Sequence, residues 1–420
     1  MTASGLGTGP RERAVITGLG VVAPTGIGLE QHWESVLAGK SGLGRIMRFD
    51  PESYPVRVAG EVPGFVAEDG VSSRIVPQTD RYTHFALVAA AHALEDSGVD
   101  PADLPEYEMA VVTASSSGGT EFGQHEMERL YLQGPAWVSA YQSIAWFYAA
   151  TTGQVSIQHG MRGPCGVICC EQAGGLDALG QARRLLNTGS RLVLSGGTDA
   201  SLCPYGLVAQ MSGGGLSTED DPTRAYLPFD ASACGFVPGE GGAMLVVETA
   251  SAAAARGAEH YGELLGYAAG FDPPADSSRP PALAGVIRRA LADARITSEA
   301  VDMVFADASG VQERDLDESR AIAEVFGPAG VPVTAPKTLT GRLYAGGAVL
   351  DTATALLALS SGVIPHSAGL ERVAPDCEID LVLDRPRQTK PRTALILARG
   401  YGGFTSALVV GAGNRSNVKK

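Results

Sequence analysis

The chain reads as an α/β protein built from largely buried mixed sheets covered by helices. Apolar, β-branched runs of strand length alternate with amphipathic stretches of helix length. The alternation repeats in two similar halves that meet near residues 250–260. The 420 residues, 45% hydrophobic and only 19% charged, supply ample material for a large core in two or more domain-sized units.

The elements follow in order. Ala14 to Ala23 is a buried strand that runs into a glycine-rich turn at Gly26. Within it, Gly18-Leu19-Gly20 does not complete a dinucleotide-binding fingerprint and reads as part of a tight turn. Leu29 to Ala38 has helical periodicity. Met109 to Ala114 is a strand, Leu176 to Leu186 a helix, Arg191 to Gly197 a strand and turn, and Ala243 to Glu248 a strand. The second half gives strands at Tyr261 to Ala268, Val301 to Ala306 and Thr393 to Ala398, and helices at Ala282 to Ala294, Asp315 to Phe326 and Leu350 to Ser360. A proline-rich loop spans Asp272 to Pro281. The expected organisation is a disordered tail over residues 1–12, one half over 13–255 and a second over 256–420.

A net charge of −14 argues against nucleic acid and anionic membranes as partners. No apolar run reaches membrane-spanning length and no charged-then-apolar leader opens the chain, so a cytoplasmic protein is expected. Cys165, Cys169, Cys170, Cys203, Cys234 and Cys377 lack metal-type spacing and are expected to be buried free thiols, Cys169 and Cys170 in a core strand. No metal and no cofactor are implied.

The most informative stretch is Val167 to Ala178. A β-branched strand is followed by a tight elbow of small residues and then a helix, a geometry that pushes one side chain into a pocket at a helix N-terminus. A thiol there would have a lowered pKa. Position 172 instead holds glutamine, whose neutral amide cannot form a thioester. Gln172-Ala173-Gly174-Gly175-Leu176-Asp177-Ala178 resembles the Cys-x-x-Gly-Leu-Asp-Ala nucleophile elbow of β-ketoacyl synthases, in the thiolase superfamily. That resemblance runs from about Arg13 to Gly411 and implies a duplicated five-layer αβαβα fold with mixed sheets. The stretches Glu171 to Ala178 and Pro336 to Tyr344 most resemble the ketosynthase β subunit, or chain length factor, of bacterial type II aromatic polyketide synthases.

Condensing enzymes of this family use one Cys to hold the acyl chain and two His to stabilise an enolate. Asp307-Ala308-Ser309-Gly310 resembles the family's Asp-Ala-His-Gly, which puts Ser309 at the first His. Lys337-Thr338-Leu339-Thr340-Gly341-Arg342 resembles Lys-x-x-x-Gly-His, which keeps Lys337 and puts Arg342 at the second. All three chemical positions are changed while the frame stays: Tyr226 to Asp230 and Gly235 to Gly242 are retained. Ala233-Cys234 stands where synthases commonly have Arg-Asp, and Gly400 to Thr405 replaces the loop that gates their acyl site. Plainer readings stand beside these. Gln172 can be a buried amide satisfied by backbone, and Arg342 can pair with Asp307 or Glu240. The seven histidines (32, 84, 92, 125, 159, 260 and 366) occupy none of the motif positions and read as surface or packing residues.

Thr120, Gly123 and Met127 fall on one face of a predicted helix. The resemblance implies that this face lines the end of a polyketide tunnel, with Trp146, Phe147 and Tyr205 as further lining candidates. Tight packing through Gly123 is the alternative. The resemblance also implies the partners: a ketosynthase α subunit in a heterodimer, an acyl carrier protein bound mainly through that subunit, and a growing poly-β-ketone. Rival readings are an autonomous malonyl-carrier-protein decarboxylase using Gln172, a synthase with a displaced Cys170 nucleophile, and a homodimeric acyl-chain-binding protein.

Overall fold

The computed structural model describes residues 12–274 and 277–415, so most of the expected tail lies outside the described residues. A twelve-stranded mixed sheet runs through the molecule. Its central strand Ala14–Ala23 pairs antiparallel with Gly241–Thr249, which pairs antiparallel with Leu192–Asp199. Then come Met109–Ala114 and Cys165–Ile168, both parallel. The other side repeats this pattern from Gly262–Phe271: antiparallel Phe404–Ala412, antiparallel Thr393–Arg399, then parallel Met303–Phe305 and Pro332–Thr334. The two units join where Val15 and Ile16 pair with Glu263 and Gly262.

Helices complete the layers. Gly174–Leu186 and Ala345–Ser361 lie between the two halves of the sheet and touch each other and strands of both. Arg81–Ser97 covers the outer face of the first half, and Leu283–Ala294 with Gln312–Phe326 covers that of the second. This is an αβαβα sandwich, as expected. Ala345–Ser361 is largely apolar, and its residues from Ala348 to Leu359 are all buried. Thr352 and Thr354 hydroxyls donate to the carbonyls of Ala348 (2.9 Å) and Leu350 (2.7 Å) within the helix, and buried Asp351 lies 2.8 Å from Lys337 Nζ.

Two expectations are corrected by close packing. Gly18 and Gly20 are not in a turn; they sit inside the strand Ala14–Ala23, where a Cβ would collide with the carbonyls of Ala93 and Ala89 on helix Arg81–Ser97. Gly266 makes the corresponding approach to Ala290 in the second half. The two central helices also start earlier than predicted, at Gly174 and Ala345, because their glycines serve contact rather than breakage. A Cβ at Gly175 would lie 2.6 Å from the Ala345 carbonyl, and one at Gly346 would strike Gly241.

Gly20→Ala should therefore destabilise the protein by about 2–4 kcal/mol or prevent its accumulation. Gly44→Ala, with nothing within 4 Å of the added methyl, should stay within about 0.5 kcal/mol in chemical denaturation. Equal behaviour of the two variants would contradict this account of the layer contacts.

Candidate functional site

The strand Cys165–Ile168 is the sheet edge, paired only with Met109–Ala114. After Cys169 and Cys170 the chain turns through Glu171–Ala173 into the central helix. Glu171 is left-handed at φ 50°, and its carboxylate accepts from the Tyr401 N–H (2.8 Å). Gln172 is 5% exposed. Its amide NH2 donates to the Tyr344 carbonyl (3.1 Å) and its oxygen accepts from Arg342 Nε (3.2 Å).

Arg342 is the hub. Nη1 donates to the Asp307 carbonyl (2.7 Å) and Oδ2 (3.1 Å), and Nη2 to Asp307 Oδ1 (2.9 Å) and the Arg399 carbonyl (3.1 Å). Burial works against the guanidinium charge, but the adjoining Asp307 carboxylate outweighs it and raises the Arg342 pKa. Burial likewise opposes the Asp307 charge, and Arg342 and Lys337 together hold that carboxyl below its ordinary range. The pairing partner is thus Asp307; Glu240 instead takes Arg81 at 2.7 and 2.9 Å. Lys337 Nζ donates to the carbonyls of Ala306 (2.6 Å) and Asp307 (3.0 Å) and lies 2.8 Å from Asp351 Oδ2.

Ser309 is buried one residue after left-handed Ala308 (φ 50°). Glu318 fixes that loop by accepting from the N–H groups of Asp307 (2.6 Å) and Ala308 (2.8 Å). Tyr344, two residues after Arg342, is left-handed as well (φ 52°). Positive-φ backbone therefore lies within two residues of each of positions 172, 309 and 342.

A cavity of about 310 Å³ opens over this circuit, with Gln172, Arg342, Tyr344, Thr120, Ser201 and Gln210 among its lining residues. Thr120 begins the helix Thr120–Gln133 and is buried. Gly123 is buried under Trp146, whose ring would stand 3.0 Å from an added Cβ. Met127, Trp146, Phe147 and Tyr205 do not line the cavity. They lie, 38–54% exposed, with Tyr131, Leu132 and Trp137 among the large apolar side chains left open on the surface.

The cysteine expectation needs correction. All six thiols are free, but Cys165, Cys169 and Cys234 are exposed and Cys170 partly so. Cys165 lies in the sheet's open edge strand and Cys169 just past its end, Cys170 packs only partly against the core, and Cys234 sits in the loop before Gly235. Burial and the neighbouring Asp177 push the Cys170 thiol up to about 12, which leaves almost no thiolate at neutral pH. Sequence reasoning passed over Asp199, which accepts from Ser115 Oγ and from the N–H groups of Ser116 and Ala345, each at 3.0 Å. Its signal was a lone carboxylate at the end of a buried apolar strand. Among the described residues no helix is long and apolar enough to cross a membrane, and no group of His, Cys, Asp and Glu is placed to hold a metal.

Comparison with known proteins agrees with this geometry. The β-ketoacyl synthase N-terminal domain matches residues 11–253 and the C-terminal domain residues 261–371. The tetracenomycin polyketide synthase ketoacyl synthase beta subunit of Streptomyces glaucescens is 57% identical over 94% of this chain and 97% of its own length. Among solved structures, the ishigamide ketosynthase/chain length factor superposes with a TM-score of 0.89 at 27% identity, covering 96% of this chain and all of that one (100%). A type II PKS acyl-carrier protein in complex with its ketosynthase bound to the hexaketide gives 0.84 at 27% identity, covering 96% and 100%. The chain belongs to the β-ketoacyl synthase family and, within it, groups with the ketosynthase β subunits of type II polyketide synthases.

Asp199 gives a pH test. Burial raises its carboxyl from 3.8 to about 6, so folding favours the neutral form. The associated stability is complete below pH 3.8 and is lost as the pH climbs through about 6. Relative to Asp199→Asn, which cannot ionise, the native chain should lose about 1 kcal/mol between roughly pH 5 and 7. Parallel urea-denaturation profiles over that window would refute the assignment.

Proposed function

We propose that this chain is the chain length factor of a type II polyketide synthase. It pairs with an active ketosynthase α subunit, completes a shared tunnel and sets the length of the poly-β-ketone. The observation that carries this reading is Gln172: an amide at the elbow, bound on both sides by Tyr344 and Arg342. The site keeps its frame and its strain but has no thiolate and no imidazole. The partner subunit supplies the Cys and both His.

The surface supports the pairing. The open edge Cys165–Ile168 and the exposed aromatic side chains Trp137, Trp146, Phe147 and Tyr205 suit a homologous subunit that adds its own strand and apolar face. Acyl carrier protein, typically acidic, docks mainly on the α subunit because this chain carries a net charge of −14. The helix Thr120–Gln133 supplies the tunnel end. Its threonine, glycine and methionine leave more room than aromatic side chains would, so the product is expected to be a decaketide or longer. The rival readings draw little support: the Cys170 pKa is raised, and one Gln172 N–H is committed to a backbone carbonyl.

Two outcomes test this reading. In the reconstituted heterodimer, Thr120→Phe, Gly123→Thr and Met127→Phe together should shift the product to shorter chains without loss of assembly. Overpacking of this kind costs roughly 1–3 kcal/mol, enough to slow each further extension severalfold or more. Unchanged length would place the ruler elsewhere. Gln172→Cys, assembled with an α subunit whose own nucleophile has been removed, should make no polyketide, because Ser309 and Arg342 cannot stabilise the enolate. Condensation by that complex would defeat the pseudo-site reading.

A further inference from the structure

The helix assigned to the tunnel end has no cap of its own. It begins after Gly119, which has no side chain, yet a buried helix start leaves backbone N–H groups in need of acceptors. The acceptor comes from 42 residues away: Asp80 Oδ2 receives the N–H of Phe122 at 2.7 Å. The other oxygen of the same carboxyl, Oδ1, receives the N–H of Tyr82 at 3.2 Å and caps the helix Arg81–Ser97. Asp80 is 3% exposed, and a Cβ at position 119 would lie 2.9 Å from its own Cβ, so the two helix starts are in close contact.

Two residues after Asp80, Tyr82 holds the facing segment. Tyr82 Oη donates to the Phe147 carbonyl at 2.7 Å, and Tyr82's own carbonyl accepts from Thr198 Oγ1 at 2.8 Å. Gly119 N–H donates to the Trp146 carbonyl at 3.3 Å. Around this mount, Arg48 clasps Glu121 of the same first turn at 2.5 and 2.7 Å, while Arg81 is tied to Glu240 and packed on the rings of Phe65 and Phe85. The start of helix Arg81–Ser97 is thus a rigid base bonded to both Thr120–Gln133 and the segment that carries Trp146.

We propose that Asp80 is a positioning residue for product length: its one carboxyl group fixes the first turn of helix Thr120–Gln133 to helix Arg81–Ser97, and Tyr82 fixes the segment opposite. Thr120, at the head of that helix, then meets the growing chain at one depth instead of several. The proposal rests on the chain-length reading above and adds what holds the ruler in register.

The experiment uses the heterodimer with its co-purifying ketosynthase α subunit, supplied with malonyl-loaded acyl carrier protein, and reads the distribution of polyketide lengths by mass spectrometry. Asp80→Asn is isosteric but presents one acceptor where two are needed, so one helix start loses its cap. Off-length products should rise about fivefold relative to the main one, the effect of losing roughly one capping interaction. Tyr82→Phe, which removes only the bond to the Phe147 carbonyl, should broaden the distribution in the same sense and decides the matter if the Asp80 variant does not assemble. A purely structural role would lower heterodimer yield or melting temperature and leave the ratio of lengths alone. An unchanged ratio in assembled Asp80→Asn, or in Tyr82→Phe if the former does not assemble, overturns the proposal. The Thr120, Gly123 and Met127 triple variant separates the two levels. If it alters length while these variants do not, only the positioning role fails. If it too leaves length unchanged, the helix is no ruler and both readings fall.

Discussion

The buried pairing of Arg342 with Asp307 is the constraint on which the altered site depends. A guanidinium enclosed in a core is tolerated only if its charge is matched and its five N–H groups find acceptors. Here they do: Asp307 supplies both carboxylate oxygens and its carbonyl, Arg399 a carbonyl, and Gln172 its amide oxygen. Gln172 therefore completes the acceptor shell of this buried cation. Removing one partner of such a pair costs about 3–5 kcal/mol, because the other charge stays buried. Gln172 and Arg342 are coupled, and replacing either alone strands polar groups that the other satisfies.

The same circuit ties together loops that are distant in sequence. The elbow, the 307–310 turn, the 341–344 turn and the Arg399–Gly403 segment meet through side-chain-to-backbone bonds rather than apolar packing. Three non-glycine residues in them, Glu171, Ala308 and Tyr344, have positive φ. Strain of this kind survives when the surrounding structure over-determines it. Two Gly-rich central helices and a twelve-stranded sheet supply that rigidity.

Much of this was legible in the sequence, for definable reasons. Strands such as Met109–Ala114 and the helix Leu29–Ala38 stand on local periodicity and match it. Motif spacing points to 172, 309 and 342, and the structure brings Gln172 and Arg342 together at one cavity with Ser309 buried two residues after Asp307. What sequence could not convey came from contacts between layers. Gly18 and Gly346 look like turn and breaker residues until the opposing backbone is seen. Cys169 and Cys170 continue an apolar run yet fall past the end of an edge strand. The face predicted to line the tunnel divides: Thr120 reaches the cavity, Gly123 is occupied by Trp146, and Met127 stays outside. Asp80 could not be read at all, since its second helix lies 42 residues away.

The open edge at Cys165–Ile168 has a consequence for how much of this protein a cell can hold. Its strand is four residues long and carries an exposed thiol, and large aromatic side chains also stand open on the surface. A copy without a partner displays the features by which quality-control machinery recognises unfinished protein. Surplus chains would be cleared rather than stored. Steady-state abundance would then follow the supply of the matching subunit, and stoichiometry would be enforced after translation by the surface itself.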